Sequence, residues 1–520
     1  MKKIYVIDSI LPGWSSLKQI GRKGQFIASI GIDPDMPIAD SGELGTSGVL
    51  RPTAATKISG SEVTGIIKWL VSNPKDTNVY GYANDGKIHV VQSNLTMASQ
   101  LTQLTNAQGQ GSAYYDNYIY FRKNIDVARY GPLNGVAAMT QSYWVGTLGK
   151  TALSNTTYPS IRGVQMPNGK MLRSAFANNN LYFCDVNSSG EGIINYIATK
   201  KTTVEGDTNN GSTYNALNLG VGRYPTDIEN YGTELAISVI EGVDTTAKQT
   251  RAKIIFWDYT SASFAKIIER ELADPIITAL RNINGILFVF SGNANGGFRV
   301  GYFVGGYTYK QIYFCADSMP PLAGAIDHMI TRFIWGGYTT YPEASASVFA
   351  RGSKHEDVPM GIHNILKTTS AGANGLVTAL AYVQNNSFAL QEPLVAWSDD
   401  SAKGIDKLGT SYGVNVWRSE MFRIGRNFKI TGLHIPLSKA VAANMTLIPK
   451  FYIDDESSNK AVKTINNTNY AASERYISNE NLQIQGKQNF ILELRWSGSA
   501  LLPVALPIFI DTEIYPGRAS

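Results

Sequence analysis

The sequence predicts an all-β protein, and three observations predict it. Only 17% of the 520 residues are charged, while Gly (49), Tyr (28) and the other aromatics are frequent. Such a composition favours strands and tight turns over helical bundles. A short turn of Asn, Asp and Gly followed by an alternating apolar strand recurs through the first four hundred residues. Beyond residue 400 the strands lengthen and keep a period of two. A chain this long exceeds what one core supports, so more than one domain is expected.

The chain divides as follows. Residues 1–60 are rich in Gly, Pro and Ser, as in Ile32–Gly48, and read as an extended arm. Helical signal is scarce, and Ser61–Val71 is the best short candidate. The repeat then begins at Asn84, Asp116, Asn178, Asn230, Asn282, Asp327 and Asn374. Most copies lie roughly 45–55 residues apart, near the ~40–50 of propeller blades. The first interval is short and the second long, which marks one early copy as misplaced. Asn-Gly and Asp-Gly supply the positive φ angles of tight hairpins. One four-stranded sheet cannot cover both of its faces, whereas radial stacking of several does. Residues 61–398 are therefore expected to form a β-propeller of about seven blades. Within one repeat, Lys253–Asp258, Phe264–Glu269, Pro275–Leu280 and Ile286–Phe290 supply four strands, and Gly301–Gly306 with Tyr309–Cys315 another hairpin.

Residues 399–410 are polar and turn-rich and read as a linker. Residues 411–520 carry alternating strands at Trp417–Phe422, Phe428–Pro436, Met445–Ile453, Asn489–Trp496 and Ile508–Ile514. They suit one antiparallel sandwich or jelly roll.

Charge and cysteine narrow the function classes. A net charge of +5 spread over 520 residues gives no concentrated basic face, so specific nucleic-acid binding is not expected. The two cysteines, Cys184 and Cys315, exclude a disulfide framework and a multi-cysteine zinc site. Both sit in strand contexts and read as buried thiols. Asp8, Pro12 and Gly13 interrupt the apolar start, which fails as a secretory leader, and no stretch suits a membrane helix.

Chemistry-bearing patterns are weak. Gly149-Lys150-Thr151 lacks the opening glycine of a phosphate loop, because Trp144 stands there. His355-Glu356-Asp357 with His363 has ligand types but not zinc-protease spacing. Asp399-Asp400, Glu356-Asp357 and Asp454-Asp455-Glu456 are adjacent acids in loops, which does not specify two carboxylates converging on a glycosidic bond. The loop Asp454–Asn459 has oxygen donors suited to calcium but lacks the EF-hand pattern. His89 and His434 alternate with apolar neighbours and are expected at the surface or an edge. Phe422-Arg423-Ile424-Gly425 occurs too late for a sialidase, and no Asp-box turn appears in any copy. Trp335, Tyr338, Tyr341, Trp397, Tyr412 and Trp417 read as core and interface packing, with a glycan surface as the competing reading. No catalytic residue, metal or cofactor is expected.

The Gly/Ser/Pro-rich start Gly24–Arg51, the Asn/Gly-turned repeats, the low charge and the run Trp417–Gly425 together resemble tail-associated virion proteins of bacteriophages that carry a β-propeller and an added β-sandwich. That resemblance covers most of the chain and is architectural, with no motif to carry over. It implies a non-enzymatic virion structural protein in a tail nozzle, hub or receptor-facing assembly. Its partners would be other virion proteins and copies of itself in a symmetric ring. It would be made in the host cytoplasm and end in the virion, with no membrane insertion. The alternative is a glycan-binding or polysaccharide-degrading propeller, with a host surface glycan as ligand.

Overall fold

A computed structural model describes the chain except residues 10–25, 35–48, 146–157, 199–211, 242–250, 261–267, 353–360, 383–392, 516–520 and shorter stretches of one to four residues. The described residues are almost entirely strand, arranged in many four-stranded antiparallel sheets consistent with a β-propeller.

Among the described residues, seven sheets of three or four strands follow one another between residues 55 and 408, besides a two-stranded pair at Ser160–Ile161 and Val164–Gln165. Sheet I holds Ile67–Val71, Val79–Ala83 and Ile88–Val91. Sheet II holds Gly111–Tyr115, Tyr118–Arg122, Asp126–Gly131 and Ala138–Val145. Sheet III runs from Met171–Arg173 through Leu181–Val186 and Glu191–Ile197 to Ser212–Val221. Sheet IV runs from Arg223–Tyr231 through Glu234–Glu241 and Arg251–Trp257 to Ile268–Glu271. Sheet V is Ile276–Ile283, Ile286–Gly292, Phe298–Phe303 and Tyr309–Cys315, and sheet VI is Ile326–Met329, Arg332–Thr339, Ser345–Arg351 and Ile362–Lys367. Sheet VII is Leu376–Tyr382, Pro393–Ser398 and Lys403–Leu408, completed by Ala55–Lys57 from the N-terminal part of the chain. The first strand of each sheet packs beside the first strand of the next, and Leu376–Tyr382 returns to Ile67–Val71, so the sheets close a ring. Apolar side chains on both faces of each sheet fill the spaces between neighbours: Ile254, Leu280 and Phe303 share one such core, and Ile67, Ala379 and Leu394 another.

The repeat maps onto this ring with one systematic error. The turns at Asp116-Asn117, Asn179-Asn180, Tyr231–Thr233 and Asn284-Gly285 all join the first and second strands of their sheets. Asp116, Asn117, Asn179 and Asn284 take positive φ there, between 45° and 68°. Asn84–Gly86 instead joins the second and third strands of sheet I, and Asn374-Gly375 precedes the first strand of sheet VII. The equivalent turn in sheet I is the Asn73–Asn78 segment, where Asn73 and Asp76 bond the turn backbone. The uneven first spacing follows from that displacement.

Two further antiparallel sheets pack face to face. One has the order Lys2–Ile7, Ile508–Ile514, Phe428–Pro436, Tyr476–Gly486. The other has the order Phe26–Ile30, Tyr412–Ser419, Asn489–Gly498, Met445–Ile453, Asn459–Ala461, with Phe422–Arg423 also on Asn489–Gly498. Leu433, Ile435 and Ile510 from the first meet Trp417, Phe451 and Leu492 from the second in one core. Burial alternates along Phe428–Pro436 and Met445–Ile453, as a sheet with one dry face requires.

Several expectations are corrected. The described parts of residues 1–60, expected as an arm that joins the propeller or packs on a neighbour, supply strands to sheet VII and to both C-terminal sheets. Alternating apolar residues such as Phe26, Ala28 and Ile30 find unpaired strand edges there. Residues 399–410 are not simply a linker, because Lys403–Leu408 is the third strand of sheet VII, with Ile405 buried in it. Ile67–Val71 is a strand, not a helix: all five of its residues are buried, and a run covered on both faces belongs inside a stack of sheets. Tyr476–Gly486, the longest strand, escaped the pattern because Asn, Gln and Glu occupy most of its outward positions. His89 is buried within Ile88–Val91 instead of lying at a surface.

Candidate functional site

The first strands of the ring carry a cluster of buried charge. In four sheets the strand bulges at one residue: Lys68 in sheet I, Thr226 in IV, Thr278 in V and Thr378 in VII. In sheet III, Lys170 stands just ahead of Met171, as Thr278 stands ahead of Ala279. A bulge turns its extra residue out of the regular alternation. Lys170 reaches Asp227 at 3.1 Å and Glu229 at 3.3 Å on sheet IV, and donates to the Leu280 carbonyl of sheet V at 3.4 Å. Arg281 continues the chain, lying 3.8 Å from Glu229 and from Asp327. Burial pushes the Asp227 carboxyl up, while Lys170 and the Leu280 N–H pull it back. Lys68 is equally buried, at 5% exposure, but makes no hydrogen bond or ion pair with any described residue, and burial lowers its pKa to about 8. The turn Leu322–Ala325 packs against the first strands of sheets I, V and VII. Gly324 lies there against the Lys68 carbonyl, where a Cβ would sit 1.9 Å from the oxygen. This region is a packed, charge-threaded core rather than an open cleft.

No family model matches the chain, and no curated protein does. Among solved structures, the Myceliophteria thermophila Cps50 (Swd1) β-propeller domain aligns at TM-score 0.40 and 11% identity, over 68% of this chain and 99% of its own. BBS1N, solved in complex with ARL6DN, aligns at 0.41 and 13%, over 69% and 97%. The computationally designed Ika8 protein aligns at 0.37 and 12%, over 67% and 98%. At such scores the ring rests on the strand order of this chain, and none of these proteins lends it a function.

The residues singled out in the sequence do not converge. His355-Glu356-Asp357 and Gly149-Lys150-Thr151 lie outside the described residues. His363 is buried against Phe26, rings 5.2 Å apart, and desolvation drives its pKa to about 3. Burial pushes Asp399 up, but N–H groups of Gly372, Ser401 and Ala402 and the Ser370 hydroxyl outweigh it and hold the carboxyl below its usual range. Asp399 thus pins a turn. Asp454 accepts from the N–H groups of Lys487, Gln488 and Asn489, while 455–458 lie outside the described residues. Among the described residues no group of three or more His, Cys, Asp or Glu is placed to hold a metal. Trp335, Trp397, Trp417 and Tyr338 are buried. Tyr341 is held by Arg418, and the Tyr412 side chain lies outside the described residues. Cys184 and Cys315 are buried on their strands.

Two constellations were not visible in the sequence. On the outward face of the first C-terminal sheet, Ser478 Oγ lies 3.0 Å from His434 Nδ1, and His434 Nε2 lies 3.0 Å from Asp511 Oδ2. The three residues come from three neighbouring strands. The arrangement brings a hydroxyl, an imidazole and a carboxylate together on an open sheet face. The second constellation joins the two halves. Arg332 of sheet VI pairs with Asp33 at 2.8 Å, both buried. Asn415 donates to the carbonyls of Gly31 and Thr53, and Thr53 donates to Ile365 of sheet VI. Arg495 pairs with Glu343 at 2.6 Å and with Glu493, which also binds Arg418. Burial pushes Glu493 up, and the two guanidiniums more than offset it.

Proposed function

We propose that this chain is a non-enzymatic structural protein of a bacteriophage tail, in a nozzle, hub or receptor-facing position, acting through protein–protein interfaces. In this reading the seven sheets are the blades of a propeller, and the two C-terminal sheets are a jelly-roll-like sandwich. The observation that supports the role is the interlock. The N-terminal part contributes strands to the last ring sheet and to both C-terminal sheets. Buried pairs such as Asp33–Arg332 cross between the halves. Independent domains joined by a linker move against each other. Two halves threaded by one segment and pinned by buried charge make a single stiff unit, as a load-bearing assembly needs. The partners in this reading are other virion proteins and copies of the same chain, and its place is the tail.

The test is mass spectrometry of density-purified particles from the source phage. The chain is expected at a stoichiometry of several copies per particle, stable to high-salt washing. Its presence in the lysate but not in particles overturns the reading.

A further inference from the structure

The first C-terminal sheet has two edges that no described residue covers. Lys2–Ile7 forms one and Tyr476–Gly486 the other. Free edges template strand addition, and soluble proteins blunt them with charge, proline or bulges. The edge at Lys2–Ile7 carries charge at Lys2 and Lys3 but has no proline or bulge, and Ile4 is 60% and Val6 37% exposed.

The backbone groups on these edges can be assigned. Met1 exchanges N–H and C=O bonds with Ile514, so by antiparallel alternation Lys3, Tyr5 and Ile7 face the neighbouring strand. Lys2, Ile4 and Val6 then point their N–H and C=O groups outward. At the other edge Leu437 N–H donates to the Arg475 carbonyl, so Ile477 and Asn479 face inward and Tyr476, Ser478 and Glu480 outward.

We infer that copies of this chain join head to tail by adding Lys2–Ile7 of one to Tyr476–Gly486 of the next, antiparallel, with Lys2 opposite Glu480, Ile4 opposite Ser478 and Val6 opposite Tyr476. Strand direction and backbone alternation allow this pairing, and the side chains select its register. The sheet has four alternating strands, an even number, so the next copy's first strand meets the last strand antiparallel and the alternation continues. All six residues are those whose backbone groups face outward, so they form hydrogen-bonded pairs. Their side chains share the outward face, where Lys2 meets an opposite charge and Val6 an aromatic ring, both favourable cross-strand pairs. The contact uses two different surfaces, so it closes into a ring or runs on as a filament. This inference rests on the structural-component reading and gives it an interface.

Light scattering and native mass spectrometry of the full chain over a concentration series test it. The wild type is expected to move from 56.7 kDa to multiples of that mass. Ile4→Pro removes an outward N–H while leaving the ladder to Ile508–Ile514 intact, because proline is tolerated where an edge N–H faces solvent. It is expected to weaken association at least tenfold with an unchanged thermal melt. Lys2→Glu is expected to weaken it less, and Lys2→Glu combined with Glu480→Lys to restore it, which keeps the test decisive even if the proline variant misfolds. Association of Ile4→Pro like wild type, or no rescue by the charge exchange, overturns this interface while leaving the structural role standing. A wild type that stays monomeric throughout also overturns it, and the particle composition then decides the role separately.

Discussion

Lys68 and Lys170 occupy comparable places in sheets I and III of one ring, and both are about 95% enclosed. Their surroundings differ completely. Lys170 is met by two carboxylates and a carbonyl from the next two sheets. Lys68 makes no hydrogen bond or ion pair with any described residue, and desolvation lowers its pKa. The threonines at the corresponding bulges divide in the same way. Thr226 Oγ1 donates to the Ile277 carbonyl at 2.9 Å and lies 2.8 Å from Ser238 Oγ, whereas buried Thr378 Oγ1 has no partner among the described residues. Repetition of the fold around the ring therefore repeats the position but not the satisfaction of the group placed there. The sheets III to VI side gains specificity from paired charge, and the sheet VII to I side carries uncompensated polarity.

Four substitutions probe this difference. The largest effect is expected for Lys170→Met, which strands Asp227 and Glu229 in the core and costs about 3–5 kcal/mol in chemical denaturation. A loss under 1 kcal/mol breaks the contrast, since it means the acids protonate without cost. Lys68→Met goes the other way, with a gain of about 2 kcal/mol at neutral pH, because it removes an uncompensated buried cation. The sign follows from the protons bound. The unfolded lysine titrates near 10.5 and the folded one at about 8, so the penalty is full below about pH 8 and fades as pH rises toward 10.5. Stability of the wild type relative to the variant, followed by denaturation from pH 7 to pH 10.5, should therefore converge. A constant gap sharpens the question toward packing rather than charge. Thr226→Val is expected to cost about 1 kcal/mol by breaking a satisfied buried bond, and Thr378→Val to gain about 0.5–1 kcal/mol by deleting an orphan hydroxyl. Thermal melts of the two valine variants side by side read the difference. The smallest effect belongs outside the ring core: Lys87→Ala, which loses a 3.9 Å surface pair with Asp85, should change stability by less than about 0.5 kcal/mol.

The strand positions were legible where side-chain chemistry is local. Asn284-Gly285 must adopt positive φ, so its hairpin is written in two residues. Phe428–Pro436 alternates because one face is dry. Ile67–Val71 misled because an apolar run of five carries no period, and its burial on both faces comes from neighbouring sheets. Tyr476–Gly486 was missed for the opposite reason: its outward side is polar and its edge unpaired, so it resembles a loop. The Ser478–His434–Asp511 constellation was invisible because its members are up to 77 residues apart and only strand register brings them together.

The sequence by itself determined an all-β chain, its turn chemistry and the two buried thiols. These follow from composition and from contacts within a few residues. Only the tertiary structure decided where the first sixty residues go, because Ala55–Lys57 pairs with a strand near residue 408 and Lys2–Ile7 with one near residue 513. It also decided which buried lysine is paired. Such choices depend on groups far apart in the chain, and their free energy appears only when the sheets close on one another.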